Sequence, residues 1–463
     1  MRNFPGYLLA IVACSPMAFA AEGPVAFPGA VGFGAQATGG RGGEVVHVTN
    51  LEDAGPGSFR EAVSKGNRIV VFDVGGVITL KSPIAFPSNL TIEGQSAPGD
   101  GITVYNNSCS ITGQSNIIIR YMRFRAGMAS ARGAKTLGIN YSHNIILDHL
   151  TISWGRWDNT GMTAKAPPKG AGKAPAAGGG EAEEPKALMA KGADDRSHDI
   201  TMQDCLVSEG LDPQRFGALL DEAVDVTVCR TLWADNDSRN PKAKGMIQVI
   251  NDVVYNWQVG GLVGGHSAAD WHQDILGNVF IAGPDTKEHS ALTLYTQTDH
   301  VYSSGNVIDL DKDGTFNPRA VAEEDFRGNK AGDAPTFVKE AYNHPKAAVD
   351  VLPAAEALEY VLEHAGASLH RDAIDARIVA QVRSMGKEGA VIKDEKEVGG
   401  IGALGAGATE MAKGPLDSDG DGMPDAWETA NGLDPHNAAD AGKVTAAGYT
   451  ELEAYENSLV ARR

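Results

Sequence analysis

The stretch Ser115-Asn116-Ile117-Ile118-Ile119 decides the fold, because copies of it recur along the chain. Each copy is a short apolar run opened by Asn or Asp, residues that can satisfy backbone groups in turns. Such runs predict β-strands. The other copies are Ser88-Asn89-Leu90-Thr91-Ile92, His143-Asn144-Ile145-Ile146-Leu147, His198-Asp199-Ile200-Thr201-Met202, Val224-Asp225-Val226-Thr227-Val228 and Asn251-Asp252-Val253-Val254-Tyr255.

The spacing of these copies indicates stacked coils. Their Asn or Asp residues stand at positions 89, 116, 144, 199, 225 and 252, which gives steps of 27, 28, 55, 26 and 27 residues. The step of 55 is either two coils or one coil with an insertion. A strand this short cannot bury its apolar face alone, whereas stacking in register buries a continuous core. The repeat therefore predicts an all-β fold, a right-handed parallel β-helix. A β-sandwich is the alternative, but hairpin signals are scarce.

The two ends of the 463-residue chain carry other signals. Residues 1–20 indicate a signal peptide, with Arg2 before an apolar run and the small-residue pattern Ala18-Phe19-Ala20 at its end. We therefore expect a secreted protein, extracellular or periplasmic. Helical apolar spacing in residues 354–364 and 371–385 predicts helices that cover the end of the stack.

The sequence thus divides into four parts after the repeat is recognised. We expect the signal peptide at 1–20, the β-helix domain at 21–395, a glycine-rich linker at 396–414 and a calcium-binding module at 415–463. Residues 163–195 are rich in Ala, Gly, Pro, Lys and Glu, so we expect a mobile surface insertion there.

Composition narrows the possible partners. The formal net charge of -19 argues against a general affinity for nucleic acid or for an anionic membrane. After the signal peptide no apolar run reaches the roughly 18 residues of a membrane span. Three cysteines then remain, Cys109, Cys205 and Cys229, and we expect buried thiols or at most one bridge. We expect a monomer.

The sharpest motif is a twelve-residue loop of the EF-hand calcium pattern, residues 417–428. Calcium ligands are expected at positions one, three, five, seven, nine and twelve of this pattern, with glycine at position six. These are Asp417, Asp419, Asp421, the Met423 carbonyl, Asp425 through water and Glu428, with Gly422 at the turn. The helix that normally precedes such a loop is replaced by linker, so the loop predicts an isolated calcium module. An acidic surface turn is the alternative.

A second acidic loop contains Asp309, Asp311, Asp313 and Thr315. Its twelfth position is Ala320, so it lacks the carboxylate that binds Ca²⁺ with both oxygens. Calcium binding and an unused loop both remain open for this stretch.

A cationic corner follows the strand of residues 224–233. Arg239, Lys242 and Lys244 surround Pro241, which cannot donate to a sheet ladder, so the chain must turn there. Taken alone, such a corner is more often a solvated turn than a site.

Several motifs in combination resemble the pectate lyases, secreted β-helix enzymes of the first polysaccharide lyase family. The motifs are the coil repeat, residues 144–149, Ser153-Trp154-Gly155-Arg156 and Ser238-Arg239-Asn240-Pro241-Lys242. The sequence looks most like the fungal-type pectate lyase C proteins, and the resemblance covers about Ala26 to Ile392.

The resemblance implies β-elimination of polygalacturonate, with Ca²⁺ as cofactor. It implies that Arg239, within an Arg-x-Pro-x-x-Arg motif, removes the proton from C5. The second arginine of that motif is replaced by Lys244. The other expected substrate-binding residues are Lys135, Asp158, Arg215 and Lys242. Because free arginine holds its proton far above neutrality, such a base implies an alkaline optimum.

The sequence departs from the family at its cleft calcium site. Lys135 stands where the family has an Asp, and Asp158-Asn159 replaces an Asp-Glu pair. One hypothesis is that Lys135 substitutes for calcium, as a basic residue does in pectin lyases, which act on methyl-esterified substrate. The alternative is a protein that binds pectin without cleaving it. Polygalacturonase, a hydrolytic β-helix enzyme, would need clustered Asp residues that the coils lack.

Overall fold

Three rows of parallel strands form the body of the computed structural model, which describes residues 23–165, 195–267, 269–287, 290–405 and 411–460. The predicted signal peptide and most of the predicted insertion lie outside these residues. The predicted parallel β-helix is confirmed. Among the described residues, no helix is long and apolar enough to cross a membrane.

Row A contains most copies of the repeat. Its strands are Glu44–Val48, Arg68–Phe72, Leu90–Glu93, Ser115–Arg120, His143–Asp148, His198–Gln203, the second halves of Phe216–Cys229 and Lys242–Ile250, then Trp271–Leu276, Asp299–Ser304 and Thr336–Phe337.

Row B begins after a corner and contains the strands that carry the candidate site. They are Ile84–Ala85, Cys109–Thr112, Leu137–Asn140, Asp158–Thr163, the first halves of Phe216–Cys229 and Lys242–Ile250, then Leu262–Val263, Leu292–Tyr295 and Phe326–Gly328.

Row C is built of very short strands. They are Val74–Thr79, Ile102–Tyr105, Arg123–Arg125, Thr151–Ser153, Leu206–Ser208, Leu232–Ala234, Val253–Tyr255, Val279–Ile281 and Val307–Asp309. Two antiparallel strands, Arg319–Ala320 and Ala412–Lys413, flank the row.

The repeat stacks in register because its side chains alternate between two faces. Ile117 lies directly between Leu90 and Ile145 of the neighbouring coils, and all three point into one buried core. Ile118 points outward, where the N-terminal segment packs on it. Burying each such side chain contributes about 1.5–3 kcal/mol, so the column of aliphatic residues holds the coils together.

Asparagine opens the row A strands for a conformational reason. Asn89, Asn116 and Asn144 have φ of 57°, 61° and 55°, in the left-handed region that Asn tolerates better than most residues. Their side chains form a ladder, in which Nδ2 of Asn116 donates to Asn89 at 2.9 Å and Nδ2 of Asn144 donates to Asn116 at 3.1 Å. Asp199 and Asp225 adopt the same conformation in later coils.

The last predicted copy of the repeat belongs to another row. Val253–Tyr255 pairs with Leu232–Ala234 in row C, and the row A partner of Val226 is Ile247. Asn251, with φ of 56°, occupies the corner after row A, like Arg230 in the preceding coil. A short apolar strand after Asn looks the same in either row, so the sequence pattern could not separate them.

Two predicted helices are present, but they cover a side of the stack and not its end. Ala354–His364 and Ala373–Arg383 pack on row C. Row C strands present apolar residues outward as well as inward, and the outward ones need a cover. Those against the helices are Leu206, Leu232, Ala234, Val253, Tyr255, Val279 and Ile281.

A buried ion cluster fastens the second helix to row C. Arg125 donates to Asp372 at 2.7 Å and to Asp375 at 2.6 Å, and the Thr151 hydroxyl also donates to Asp375 at 2.6 Å. Asp372 caps the helix as well, because its side chain accepts from the backbone N–H of Ile374. Helix capping and ion pairing thus use the same carboxylate.

The segment predicted as a linker is partly folded onto the coils. It contains the 3-10 helices Glu395–Val398 and Gly400–Leu404, whose Ile401 and Leu404 pack near Trp154. Its strand Ala412–Lys413 pairs with Val74–Thr79. Val398, Ile401 and Leu404 are apolar side chains among the glycines, and their packing explains why this stretch lies against the coils.

The C-terminal module lies against the first coils and is not an isolated unit. Its helices are Asp425–Asn431 and Glu451–Val460. Met423 and Leu452 pack on Ile69 and Val71 of row A. The module therefore covers the outer face of the strands that begin the stack.

Candidate active site

Four charged residues line the leading edge of row B, each at or just before the start of a strand. Lys135 precedes Leu137–Asn140, Asp158 opens Asp158–Thr163, Arg215 precedes Phe216–Cys229 and Arg239 precedes Lys242–Ile250. Asp158 pairs with Phe216, and Phe216 forms a bridge to Ser238, so consecutive coils align these positions. The stacking of the coils thus builds a charged cleft from residues about 80 positions apart.

Arg239 is held by its neighbours but reaches solvent. One guanidinium nitrogen donates to Oδ1 of Asp158 at 2.8 Å, and the guanidinium carbon lies 4.2 Å from the centre of the Phe216 ring. The side chain is 20% exposed. Its φ of 62° marks the corner that the sequence predicted before Pro241.

Asp158 lies beneath the surface of this edge, and contact between its carboxylate and substrate stays a prediction. It is fully buried, and its second oxygen has no hydrogen-bond partner among the described residues. Burial raises the pKa of Asp158, although Arg239 and Lys135 oppose that rise. The carboxylate therefore positions Arg239.

Lys135 brings a second cation to the same place. Burial lowers the pKa of Lys135, and Arg239 adds to that decrease, while Asp158 and Asp221 oppose it. A Cβ atom added at Gly161 would stand 2.7 Å from Nζ of Lys135. Glycine at that position leaves the room that the ammonium group fills.

Two further lysines extend the basic surface. Nζ of Lys242 lies 3.2 Å from Nε2 of His266, and burial together with Arg239 and Lys244 lowers its pKa to about 8. Lys244 forms an ion pair with Asp221 at 2.6 Å. A lysine that already has a carboxylate partner offers less charge to a substrate than one paired with a neutral imidazole.

Arg215 lies on the same edge, one coil before Arg239. Its guanidinium approaches Asp212 at 3.4 Å and Asp237 at 3.8 Å, and the side chain is 21% exposed. These contacts fix Arg215 at the corner without burying it. Substrate binding by Arg215 stays a prediction.

The two neighbouring tryptophans have different roles. Trp154 is fully buried, with Nε1 donating to Glu209 at 3.0 Å, so it packs the core. Trp157 is 37% exposed and precedes Asp158, where a sugar ring could stack on it. Asn159 is also buried, and its side-chain amide is used by Gly155, Ser208 and Asn236.

Comparison with known proteins decides the family. The chain is 40% identical over 451 residues to a probable pectate lyase C of Aspergillus flavus, covering 97% of each chain. It is 40% identical over 453 residues to a probable pectate lyase C of Emericella nidulans, covering 97% of this chain and 96% of that one. The chain belongs to the pectate lyase family. It is a polysaccharide lyase.

Comparison with solved structures and with family models does not add to this family assignment. The structure of the thermostable pectate lyase PL 47 aligns with a TM-score of 0.48 at 14% identity, over 75% of this lyase and 99% of that chain. No family model matches the chain.

Sequence reasoning missed two parts of this lyase's cleft. His266, to which no role was assigned from the sequence, contacts Lys242. Phe216 supports Arg239, although no motif marks it. The register of row B strands is the only signal that could have placed Phe216 there, and that register is visible only once the coils are aligned.

The predicted calcium loop of the lyase gathers its carboxylates. Oxygens of Asp417, Asp419 and Asp421 lie within 4.8 Å of one another, and so do those of Asp421, Glu428 and Asp440. Asp440 lies outside the twelve-residue pattern and was missed.

Two other predicted ligands of this loop behave differently. The oxygens of Asp425 accept hydrogen bonds from the backbone N–H and the hydroxyl of Ser418, at 2.7 and 2.8 Å, so this carboxylate is turned to the loop backbone. The Met423 side chain is buried in the module, and its backbone N–H donates to Asp421 at 2.9 Å. Calcium binding by the Met423 carbonyl stays a prediction.

The second acidic loop uses its carboxylates locally. Asp309 accepts from the backbone N–H of Asn317 at 3.0 Å, Asp311 from that of Asp313 at 3.1 Å, and Asp313 from that of Thr315 at 2.7 Å. Among the described residues, these three carboxylates do not form a group with oxygens within 4.8 Å of one another. Calcium binding there stays a prediction.

Asp148 and His149 belong to a hydrogen-bonded cluster with Arg120 and Gln203. Asp148 accepts from Arg120 at 3.0 Å, from Gln203 at 2.8 Å and is 2.9 Å from Nδ1 of His149. The pair lines a cavity of about 320 Å³ at the corner after row A. It therefore lies at a different corner from Arg239.

Cys109, Cys205 and Cys229 are free and buried, as one of the two predicted alternatives had it.

Proposed function

We propose that this lyase cleaves polygalacturonate by β-elimination and that Arg239 removes the proton from C5. The observation that supports this most is the arrangement around Arg239. The guanidinium is oriented by Asp158 at 2.8 Å, partly exposed, and accompanied by Lys135 and Lys242. The names of the related lyases fix the substrate class of those proteins and support the same class here.

The neutral guanidine of Arg239 takes the proton as the C5–H bond breaks, and the released electron pair forms the C4=C5 double bond. The C4–O4 bond breaks, and the departing oxygen takes a proton from solvent. Negative charge grows on the uronate carboxylate in the transition state, where the ammonium groups of Lys135 and Lys242 would stabilise it. Neutral arginine is scarce at neutral pH, so activity should rise toward alkaline pH.

The cleft residues do not fit a calcium ion. Lys135 brings a positive charge, Asp158 is buried and paired with Arg239, and the Asn159 amide is used inside the coil. The groups of three possible metal ligands found among the described residues lie elsewhere. These observations support cleavage that does not depend on cleft calcium, with Lys135 supplying the charge. This pectin lyase-like variant makes methyl-esterified pectin the alternative substrate.

The test is product analysis with two substrates. Polygalacturonate and methyl-esterified pectin are each incubated with the protein, with and without a chelator. Unsaturated products that absorb ultraviolet light support the proposal, and their persistence with chelator supports the role of Lys135. Reducing ends without unsaturation would indicate a hydrolase, and no cleavage would indicate a binding protein.

Arg239→Ala tests the base directly. We expect kcat to fall about 10³-fold or more, because the group that takes the proton is lost. The melting temperature should also fall, because the buried carboxylate of Asp158 loses its hydrogen-bond donor, so kcat is measured well below the melting temperature of the variant. The matched control is Arg383→Ala, on a helix that covers row C, which should keep full activity. Retained activity in Arg239→Ala would exclude Arg239 as the base.

A further inference from the structure

The C-terminal module contains a concentration of buried negative charge that the cleft chemistry does not use. Asp417, Asp419 and Asp421 form one group of carboxylates, Asp421, Glu428 and Asp440 form another, and Asp421 belongs to both. Asp421 is 2% exposed, and Glu428 and Asp440 are fully buried. Buried charges of one sign are costly unless something neutralises them.

Most of these carboxylate oxygens have nothing to bind. Both oxygens of Asp419, both of Glu428 and one each of Asp421 and Asp440 are buried without a hydrogen-bond partner among the described residues. A buried acceptor left unsatisfied costs about 1–3 kcal/mol, and more when it is charged. The cluster is therefore built for a partner with positive charge.

We propose that Asp419, Asp421, Glu428 and Asp440 bind one Ca²⁺ and that this ion locks the C-terminal module onto the first coils of the β-helix. The donor set consists of oxygens alone, without His or Cys, which favours a hard cation. Ca²⁺ takes six to eight oxygen ligands in irregular arrangements, and six unpartnered oxygens belong to the two groups that share Asp421.

Asp440 distinguishes this site from the pattern that the sequence predicts. Position nine of an EF-hand loop binds through water, but here Asp425 is held by Ser418. Asp440, twelve residues beyond Glu428, brings a buried oxygen to the cluster in its place. Its other oxygen accepts from the backbone N–H of Asp434 at 3.1 Å, which orients the free one.

The loop that would hold the ion also contacts the first coils. The carbonyl of Gly420 lies 3.0 Å from Nε2 of His47, on the first strand of row A. Met423 packs on Ile69 and Val71 of the next strand. Fixing the loop around an ion fixes these contacts too, so calcium binding in the module would stabilise the start of the stack.

Terbium luminescence tests the site. Tb³⁺ replaces Ca²⁺ at oxygen sites, and Trp427, inside the loop, is the sensitiser. We expect tryptophan-excited terbium emission from the full chain, competed away by Ca²⁺. In Asp440→Asn we expect Ca²⁺ to bind about tenfold more weakly or worse, because a charged ligand is lost. Asp434→Asn, an exposed neighbour outside the cluster, and Glu359→Gln, on the exposed surface of the helix Ala354–His364, are the controls and should bind as the unchanged chain does.

The second readout is the melting temperature of Asp440→Asn relative to the unchanged chain, and this difference should change sign when Ca²⁺ replaces the chelator. With chelator, Asp440→Asn should melt at a higher temperature than the unchanged chain, because one repelling charge is removed. With excess Ca²⁺ it should melt at a lower temperature, because the ion binds less tightly. Absence of terbium emission, equal emission loss in the controls, or no effect of Ca²⁺ on melting would each overturn the proposal. None of these readouts depends on cleavage of a polysaccharide.

Discussion

Arg239 and Lys242 stand three positions apart, but solvent pH affects them differently. A guanidine base, the role proposed for Arg239, is favoured by alkaline conditions because arginine in general holds its proton far above neutrality. Lys242 needs its proton to attract a carboxylate, and burial beside Arg239 and Lys244 lowers its pKa to about 8. A rise in pH therefore favours proton removal by the guanidine but removes the charge with which Lys242 would attract the substrate.

We therefore predict that KM for polygalacturonate rises as pH increases through about 8, where Lys242 loses its charge. Lys242→Arg should keep KM low at higher pH, because arginine stays protonated. Steady-state kinetics from neutral to alkaline pH measure this. The same rise in KM in Lys242→Arg would show that another group controls binding.

His149 should make stability depend on pH. Burial lowers the pKa of His149, but the charge and hydrogen bond of Asp148 outweigh burial and raise it above the ordinary value of about 6.5. A group with a raised folded-state pKa stabilises fully below its unfolded pKa and loses that contribution as pH rises through the folded pKa. The free energy of unfolding lost in His149→Gln should thus be larger at mildly acidic pH than at alkaline pH. Urea unfolding across this range is the measurement, and a constant difference would contradict it.

At the residue scale, the sequence predicted Arg239, Lys135 and the acidic loop because each stands inside a recognisable motif. It did not predict that Asp158 is buried, since a carboxylate at a strand start looks the same whether it faces solvent or the coil. Asp440 was missed for a related reason. It reaches the cluster through the fold of the module, not through spacing in a motif.

Among the elements, strands were easier to predict than the packing between them. Asparagine at a left-handed corner and alternating aliphatic residues identified row A. The helices were predicted nearly to their bounds, but their place was not. That place depends on the outward apolar residues of row C, whose three-residue strands are too short to show a period.

The helix Ala373–Arg383 should depend on its buried ions. We predict that Asp375→Asn lowers the free energy of unfolding by about 3 kcal/mol, because a buried ion pair with Arg125 is broken. Glu359→Gln, which removes the exposed pair with Arg383, should cost below about 0.5 kcal/mol. Denaturant unfolding compares them. Equal effects of the two changes would show that the buried cluster does not hold the helix.

Over the whole molecule, a basic cleft is set in a chain with a net charge of -19. A polyanionic substrate is attracted locally and repelled at long range. Raising NaCl from about 0.05 to about 0.5 M shortens the screening length from roughly 13 to roughly 4 Å, which weakens both effects.

We predict that KM for polygalacturonate increases over this salt range, since the contacts in the cleft are closer than the distant repulsion and dominate binding. Lys242→Gln should reduce the salt dependence, because Lys242 lies beside a histidine and not beside a carboxylate, whereas Lys81→Gln, on the exposed surface, should not. Initial rates at several salt concentrations measure it. A KM that falls with salt would mean that repulsion between the acidic protein surface and the substrate limits binding more than the contacts in the cleft support it.

The contact between Lys165 and Asp195 has a practical consequence. The backbone N–H of Lys165 donates to the carbonyl of Asp195 at 2.8 Å, so the two ends of the intervening stretch already meet where row B passes to row A. The entropy cost of closing a loop grows only slowly with the number of residues in it, so a longer or shorter connection between these two residues changes that cost little. An engineer could therefore exchange that stretch for a short turn, or graft a foreign domain there, and leave the winding of the solenoid intact.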